Sequence, residues 1–142
     1  MAGSQVVVDV VVADLSFISL RTVAPNLLAA CRPGGDLVML VKPQFEARRA
    51  EASRGRGVIT EPAVWERTLL EVGGTFARQG AAIMGVMVSP LRGAEGNVEF
   101  LVHATSGVPA AAPPELTVLA GTAVREAVDA VADDGATEGR RP

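Results

Sequence analysis

The hydrophobic residues of this chain are grouped in four short runs, separated by segments whose apolar residues recur at helical spacing. The first run extends from Val6 to Ala13 and is interrupted only by Asp9. Because β-branched valine dominates it and no polar face recurs, it predicts a strand buried on both faces, with its regular part over residues 10–13. Similar runs predict three further strands, over residues 36–41, 82–89 and 98–104.

Two helices are predicted between these strands. Ser16 or Ser19 can cap the first one, over residues 18–32, and the Arg-Pro-Gly-Gly sequence at its end stops it. The second is predicted over residues 61–79. The apolar face of the first helix consists of Val23, Leu27, Leu28 and Cys31.

The order strand, helix, strand, helix, strand, strand indicates an α/β fold. Strand–helix–strand units build parallel, doubly wound sheets, whereas the segment before the last strand is too short for a crossover helix, so that strand must run antiparallel. An antiparallel strand begins at the edge where the parallel strands end. Asp14 and Lys42 follow the first two strands, and Glu99 stands near the start of the last one. We therefore expect these three residues at one sheet edge, where ligands bind in open α/β sheets.

The composition fits a single cytoplasmic domain. The 142 residues are 49% hydrophobic, and the net charge of −3 argues against a nucleic-acid binder that works by overall charge. Cys31 is the only cysteine, which excludes an internal disulfide, and neither a signal peptide nor a membrane-length apolar run is visible. We expect a cytoplasmic protein with no membrane contact and no metal site.

The composition changes after Ser106. Residues 107–114 are rich in proline and alanine and predict a linker, residues 115–132 predict a short helix, and residues 133–142 predict a disordered tail. We therefore expect one folded domain over residues 1–106 and an appendage over residues 107–142.

Positive charge is concentrated before the second predicted helix. Residues 32–56 contain six Lys or Arg and three Asp or Glu, and four of the arginines lie within residues 47–57. Two interpretations remain open for this segment, a solvated loop and a mobile flap that meets phosphates.

Three motifs in sequence order resemble one known family. They are Asp14-Leu15-Ser16-Phe17-Ile18-Ser19, then Lys42-Pro43-Gln44-Phe45-Glu46, then Ser89-Pro90 with Gly96-Asn97-Val98-Glu99. Over about residues 9–104 the chain resembles the TlyA (hemolysin A) family of ribosomal RNA 2′-O-methyltransferases, which have an FtsJ-like catalytic domain. The resemblance implies part of a Rossmann-like methyltransferase fold that uses S-adenosylmethionine, with an antiparallel last strand and its N-terminal strands missing.

The resemblance also implies roles for individual residues. The family uses a Lys-Asp-Lys-Glu tetrad, whose Asp, second Lys and Glu match Asp14, Lys42 and Glu99. A lysine can act as a base towards a ribose hydroxyl or orient it, Glu99 is expected to hold Lys42, and methyl transfer depends mainly on alignment. The residues expected to bind the cofactor are Asp14, Leu15, Ser16 and Phe17. The residues expected to contact RNA are Lys42, Gln44, Arg48, Arg49, Arg54, Arg56 and Arg92.

The chain also departs from the family pattern. The first lysine of the tetrad, the glycine-rich cofactor loop, the acidic residue after the second strand and the S4-like RNA-binding domain are absent from its sequence. We therefore expect an RNA methyltransferase domain whose partner is ribosomal RNA or a ribosomal subunit, and which by itself binds S-adenosylmethionine weakly or not at all. The alternative is a non-catalytic RNA- or protein-binding remnant of that fold. A small-molecule methyltransferase fits the sheet but not the pairing of Lys42 with Glu99.

The first strand is expected to cause self-association. It would form a sheet edge, and residues 6–12 combine high β-propensity with Asp9 as their only charge. We expect the chain to associate through this edge unless the helix of residues 115–132 covers it.

Overall fold

The computed structural model describes residues 6–107 and 113–138. In this part of the chain, helices cover one face of a four-stranded sheet. The elements are, in order, β1 (Val8–Ala13), α1 (Leu20–Ala30), β2 (Cys31–Val41), α2 (Pro43–Glu46), α3 (Arg49–Arg54), α4 (Pro62–Arg78), β3 (Ala82–Val88), a 3₁₀ turn (Ala94–Gly96), β4 (Phe100–Thr105) and α5 (Pro113–Glu138).

The sheet has the order β1-β2-β4-β3. β1 and β2 are parallel, and β4 is antiparallel to both β2 and β3. The register pairs Val12 with Val38 and Val38 with His103. This arrangement confirms the predicted α/β fold with an antiparallel last strand. As predicted, it brings the ends of β1 and β2 to the same edge as the start of β4.

One face of the sheet carries the core. Alternate residues of β1, β2 and β4 point into it, and α1, α4 and α5 supply its other side. Trp65 of α4 belongs to this core, because its side chain is buried and its indole N–H donates to the carbonyl of Ile59 at 3.0 Å. The sheet residues of the core include Val11, Ala13, Leu37, Met39, Val41, Phe100, Val102 and Ala104.

The opposite face of the sheet is open over the described residues. Val10 and Val12 are 53% and 73% exposed, and Val38, Leu101 and Met87 line a shallow apolar groove on the same face. The prediction that β1 is buried on both faces is therefore wrong. A run of valines does predict a strand, but how many faces are covered depends on helices elsewhere, and the described helices lie on one face.

The first helix and the second strand meet earlier than predicted. α1 ends at Ala30, capped at its start by Ser19, and β2 begins at Cys31 instead of Asp36. The Pro-Gly-Gly sequence that follows Arg32 lies inside β2 but interrupts its pairing with β1, because the register passes from Val8–Cys31 to Val10–Asp36. Gly34 has a φ of 80° there, and its N–H donates to the carbonyl of Ser106 at 2.7 Å.

The basic segment is folded into short helices. α2 follows Lys42 directly, and α3 contains Arg49 and Arg54. Glu51 of α3 accepts two hydrogen bonds from the guanidinium of Arg67 in α4, one of them at 3.0 Å. α3 is thus attached to the core helix, a contact that the sequence pattern does not reveal.

The last helix is longer than predicted. α5 extends to Glu138, so part of the predicted disordered tail is helical, while residues 139–142 and most of the predicted linker lie outside the described residues. α5 packs against α4 and β3 through Ala120, Ala123 and Ala127, at the far side of the sheet from β1, so it does not cover the β1 edge. Among the described residues, no helix is long and apolar enough to cross a membrane.

Candidate active site

Lys42 and Asp14 form an ion pair at the carboxyl edge of the sheet. Asp14 follows β1 and Lys42 follows the neighbouring parallel strand β2, and their Oδ1 and Nζ atoms are 2.6 Å apart. The same ammonium group donates to the hydroxyl of Ser16 at 3.1 Å. The Lys42 side chain is 12% exposed and that of Asp14 is 67% exposed, so the pair lies at the surface with the lysine on its inner side.

Glu99 lies at the same edge, but its partner is Gln44. The side-chain amide of Gln44 donates to Glu99 Oε2 at 2.8 Å, and Glu99 is buried. Gly93 lies so close to this carboxylate that a Cβ atom there would overlap it. Within the described residues, the ion pair of Lys42 is with Asp14, and Glu99 does not come within 4 Å of the lysine. The expectation that Glu99 holds Lys42 directly is therefore not met.

Three further contacts join the segments that begin at Asp14 and at Lys42. The rings of Phe17 and Phe45 have centroids 4.9 Å apart. Ser19 Oγ donates to Glu46 Oε2 at 2.6 Å, and the Leu20 N–H donates to Glu46 Oε1 at 2.8 Å. Burial raises the pKa of the Glu46 carboxyl, although these hydrogen bonds and Arg21 act in the opposite direction.

The loop before β4 is held by a buried asparagine. Asn97 accepts a hydrogen bond from Ile59 N–H at 3.0 Å and donates to the carbonyl of Gly57 at 2.8 Å. These bonds fix the backbone between Gly93 and Glu99 to the segment before α4. The backbone that carries the Glu99 side chain is therefore held in place.

This sheet edge brings together one amine, that of Lys42, and two carboxylates, those of Asp14 and Glu99. Lys42 is the only lysine in the chain, which has 12 arginines. It follows β2, and its amine bonds Asp14, which follows β1. An amine can exchange a proton with a hydroxyl group, whereas a guanidinium stays charged. No group of three or more His, Cys, Asp or Glu in the described residues could hold a metal ion.

The family follows from a profile match. The FtsJ-like methyltransferase profile matches residues 2–106, which include every residue of this sheet edge. The chain belongs to the FtsJ-like methyltransferase family. This confirms the family expected from the three motifs, and with it the partial Rossmann-like fold.

Several relatives agree with this assignment. The FtsJ-like chain is 45% identical over 95 residues to the 16S/23S rRNA (cytidine-2′-O)-methyltransferase TlyA of Mycobacterium tuberculosis, a match that covers 67% of this chain and 35% of TlyA. It is 36% identical over 95 residues to hemolysin A of Brachyspira hyodysenteriae, covering 67% of this chain and 39% of that protein. The chain therefore spans about a third of the length of the curated relatives it matches.

A solved structure shares the fold. A Streptococcus thermophilus protein, described provisionally as a hemolysin, superimposes with a TM-score of 0.75 at 32% sequence identity. The superposition covers 89% of this chain and 46% of that one. The FtsJ-like sheet seen here thus corresponds to about half of a longer protein of known structure.

The residues predicted to contact RNA fall into two groups. Lys42 and Gln44 lie at the sheet edge and are engaged with Asp14 and Glu99. The basic residues of the other group are exposed around α3, with the exception of Arg92, which is half-buried and pairs with Asp134 of α5 at 2.7 Å. The exposed group consists of Arg48, Arg49, Arg54 and Arg56.

The residues predicted to bind the cofactor form one loop of the FtsJ-like domain. Leu15 packs against the core, while Phe17 is 88% exposed and contacts Phe45. Phe17 has a φ of 66°, in the left-handed region that favours glycine. The loop is therefore held in an unfavourable conformation by its neighbours.

Sequence reasoning did not assign a role to Glu46, Gly93 or Asn97. Glu46 and Asn97 lie within the quoted motifs and Gly93 lies between the two parts of the third one, but only the structure shows what each one touches. The sequence marks Glu46 and Asn97 only as polar residues and Gly93 only as a loop glycine, and it does not indicate the partner of any of them.

Proposed function

We propose that this chain carries the nucleophile-activating part of a ribosomal RNA ribose 2′-O-methyltransferase that uses S-adenosylmethionine. The observation that carries the proposal is the 2.6 Å ion pair of Lys42 with Asp14 at the carboxyl edge, with Glu99 buried at the same edge. The name of TlyA, which describes 2′-O-methylation of rRNA, supports the same reaction. This substrate puts the activity in the cytoplasm.

Lys42 is proposed to act on the ribose 2′-hydroxyl. Its amine, when neutral, can hold the hydroxyl oxygen and take its proton while the oxygen bonds to the methyl carbon and the bond from that carbon to the donor sulfur breaks, with its electron pair going to the sulfur. Asp14 and Ser16 fix the direction in which the amine points. Glu99, oriented by Gln44, supplies a second carboxylate for the ribose or for Lys42 once the Asp14 pair opens.

The loop of residues 14–17 fits the charged end of S-adenosylmethionine. An exposed carboxylate on Asp14 and an exposed ring on Phe17 both attract a sulfonium cation. When bound, S-adenosylmethionine supplies the methyl group. The loop contains no glycine, so close backbone approach to the remainder of the cofactor has to come from residues other than these.

The exposed arginines around α3 are proposed to bind the RNA backbone. Arg49 and Arg54 lie on α3, and Arg48 and Arg56 flank it. α3 begins seven positions after Lys42 and is attached to α4 through Glu51 and Arg67. Fixed cations near the lysine would place phosphates while leaving the ribose at the sheet edge. The segment would therefore meet phosphates, as the flap interpretation has it, but as a helix attached to α4 and not as a mobile flap.

The open sheet face favours a second candidate function, a binding module without catalysis. Val10, Val12 and Leu101 lie on a face that no described element covers, and β1 presents an unpaired edge next to it. Parallel sheets are usually covered on both faces, so this surface is suited to another polypeptide, including a second copy of the chain. Binding without methyl transfer would identify the chain as such a module.

Methyl transfer by a chimera tests the leading proposal. This chain replaces the matched region of TlyA, and the chimera is incubated with ribosomal subunits and methyl-labelled S-adenosylmethionine. We expect label on a ribose 2′-oxygen, and no incorporation by the 142-residue chain alone. Label on a base, or none from a folded chimera that binds the subunits, would contradict the proposal and favour the binding module.

A further inference from the structure

Glu46 connects two segments that are distant in sequence. It ends α2, is 5% exposed, and uses both carboxylate oxygens on the start of α1, where Ser19 Oγ donates at 2.6 Å and Leu20 N–H donates at 2.8 Å. Ser19 and Leu20 close the loop that begins at Asp14. The carboxylate therefore ties the far end of that loop to the segment that begins at Lys42.

The loop needs such contacts because its backbone is strained. Phe17 has a φ of 66°, a conformation that a bulky side chain disfavours and that persists only when neighbouring contacts impose it. Residues 42–46 contact the loop at three points: Lys42 bonds Asp14 and Ser16, Phe45 contacts Phe17, and Glu46 bonds Ser19 and Leu20. Of these, Glu46 is the most buried.

We propose that Glu46 is a positioning residue, whose carboxylate holds the loop of residues 14–19 in the conformation that keeps Asp14 on Lys42. The inference rests on the proposed function, because it takes Asp14 and Lys42 as members of the reacting site. Glu46 itself reaches no substrate. It acts through the loop.

The negative charge of Glu46 does not stabilise the folded chain. Burial raises the pKa of its carboxyl above the ordinary value, so the folded state holds the proton more tightly than the unfolded chain does. The stabilising effect of that proton is complete at low pH and is lost as the pH rises through the raised pKa. The charged group facing Glu46 is Arg21, at 3.6 Å, and Arg21 also pairs with Glu71 of α4 at 3.4 Å.

The test uses the chain itself and three substitutions. Glu46→Met removes both acceptors, Glu46→Gln keeps an acceptor for Leu20, and Glu71→Met is the matched control, because it removes the other carboxylate on Arg21 without touching the loop. Lys42 is the only lysine, so reductive methylation with ¹³C gives one side-chain signal, separate from that of the terminal amine. Amide hydrogen exchange reports on Leu20.

We expect Glu46→Met to shift the Lys42 signal towards that of a free lysine and to speed exchange at Leu20 by about tenfold or more. Glu46→Gln should restore both readouts and, as the pH rises through the pKa of Glu46, gain stability relative to the wild type. Glu71→Met should leave both readouts unchanged. If Glu46→Met does not fold, Ser19→Ala should move the Lys42 signal in the same direction by a smaller amount.

The proposal is overturned if Glu46→Met or Ser19→Ala leaves Lys42 and Leu20 unchanged in a folded chain. It is also overturned if Glu71→Met moves the Lys42 signal as far, because the effect would then pass through Arg21. None of these readouts needs RNA or S-adenosylmethionine. A failure of the methyltransferase proposal and a failure of this one are therefore distinguishable.

Discussion

The side-chain amide of Gln44 donates a 2.8 Å hydrogen bond to the carboxylate of Glu99. Lys42, two residues before Gln44, is bonded instead to Asp14 at 2.6 Å. The sheet edge thus contains two separate polar pairs, and residues 42–46 contribute one member to each. Gln44 is the neutral member that holds a buried carboxylate in place.

Gln44→Leu should destabilise the fold by about 1–3 kcal/mol, because Glu99 is buried and would lose the donor that the structure gives it. Denaturation in urea measures the change. Gln79→Leu, at an exposed glutamine after α4, is the control and should change little. Adding Glu99→Met should recover part of the lost stability, because the buried carboxylate without a donor is then removed as well. A double variant no more stable than Gln44→Leu would contradict the pairing.

Val12→Lys should reduce self-association through β1. Val12 is 73% exposed on an edge strand, and lysine is a residue that natural edge strands use against pairing. Light scattering over a concentration series gives the measurement. Val118→Lys replaces a 64% exposed valine on α5, away from β1, and should have no effect. Val11→Lys is unsuitable as a test because Val11 is buried. If the wild type is a monomer at all concentrations, the expectation of self-association is contradicted.

The pair of Glu51 with Arg67 should make the attachment of α3 depend on pH. Hydrogen bonding to Arg67 lowers the pKa of the Glu51 carboxyl in the folded chain. The stabilisation is therefore present above the pKa of the unfolded chain and is lost as the pH falls through the lowered folded value. Glu51→Gln should be less stable than the wild type at neutral pH and equal to it in acid. A difference that persists at low pH would contradict this assignment.

Arg48→Ala and Arg54→Ala should each weaken binding to a ribosomal RNA fragment and lower its salt dependence by about one counterion. Both side chains are exposed on or next to α3. Arg92→Ala should have a smaller effect, because Arg92 is paired with Asp134. Arg125→Ala, on α5, is the control for lost charge. If the affinity for RNA falls equally steeply with salt concentration in all four variants and the wild type, α3 is excluded as an RNA contact.

The topology and the composition of the sheet edge could be predicted from the sequence. The short connection before β4 permits only an antiparallel strand, and Asp14 and Lys42 mark strand ends by their contrast with the apolar residues before them. These features depend on local order along the chain. They can therefore be predicted without knowledge of the tertiary contacts.

The remaining contacts could not be predicted because they depend on which side chains meet after folding. Glu46 looks like an ordinary loop carboxylate, yet it is buried on Ser19 and Leu20. The segment of α3 looks like a solvated basic loop, because the bond from Arg67 that holds it comes from another helix. Val12 looks like a core residue, since the sequence of one strand does not show how many faces of the sheet are covered.

Methyl transfer by the Lys42→Met variant of the TlyA chimera tests the central claim most directly. Lys42 is proposed to take the proton of the 2′-hydroxyl, and loss of a general base typically lowers rates by about 10²–10⁴-fold. We expect a loss of that order, with a much smaller change in urea stability and in binding to ribosomal subunits, while Arg125→Met keeps full activity. Methyl incorporation by Lys42→Met at the rate of the unsubstituted chimera would contradict the account.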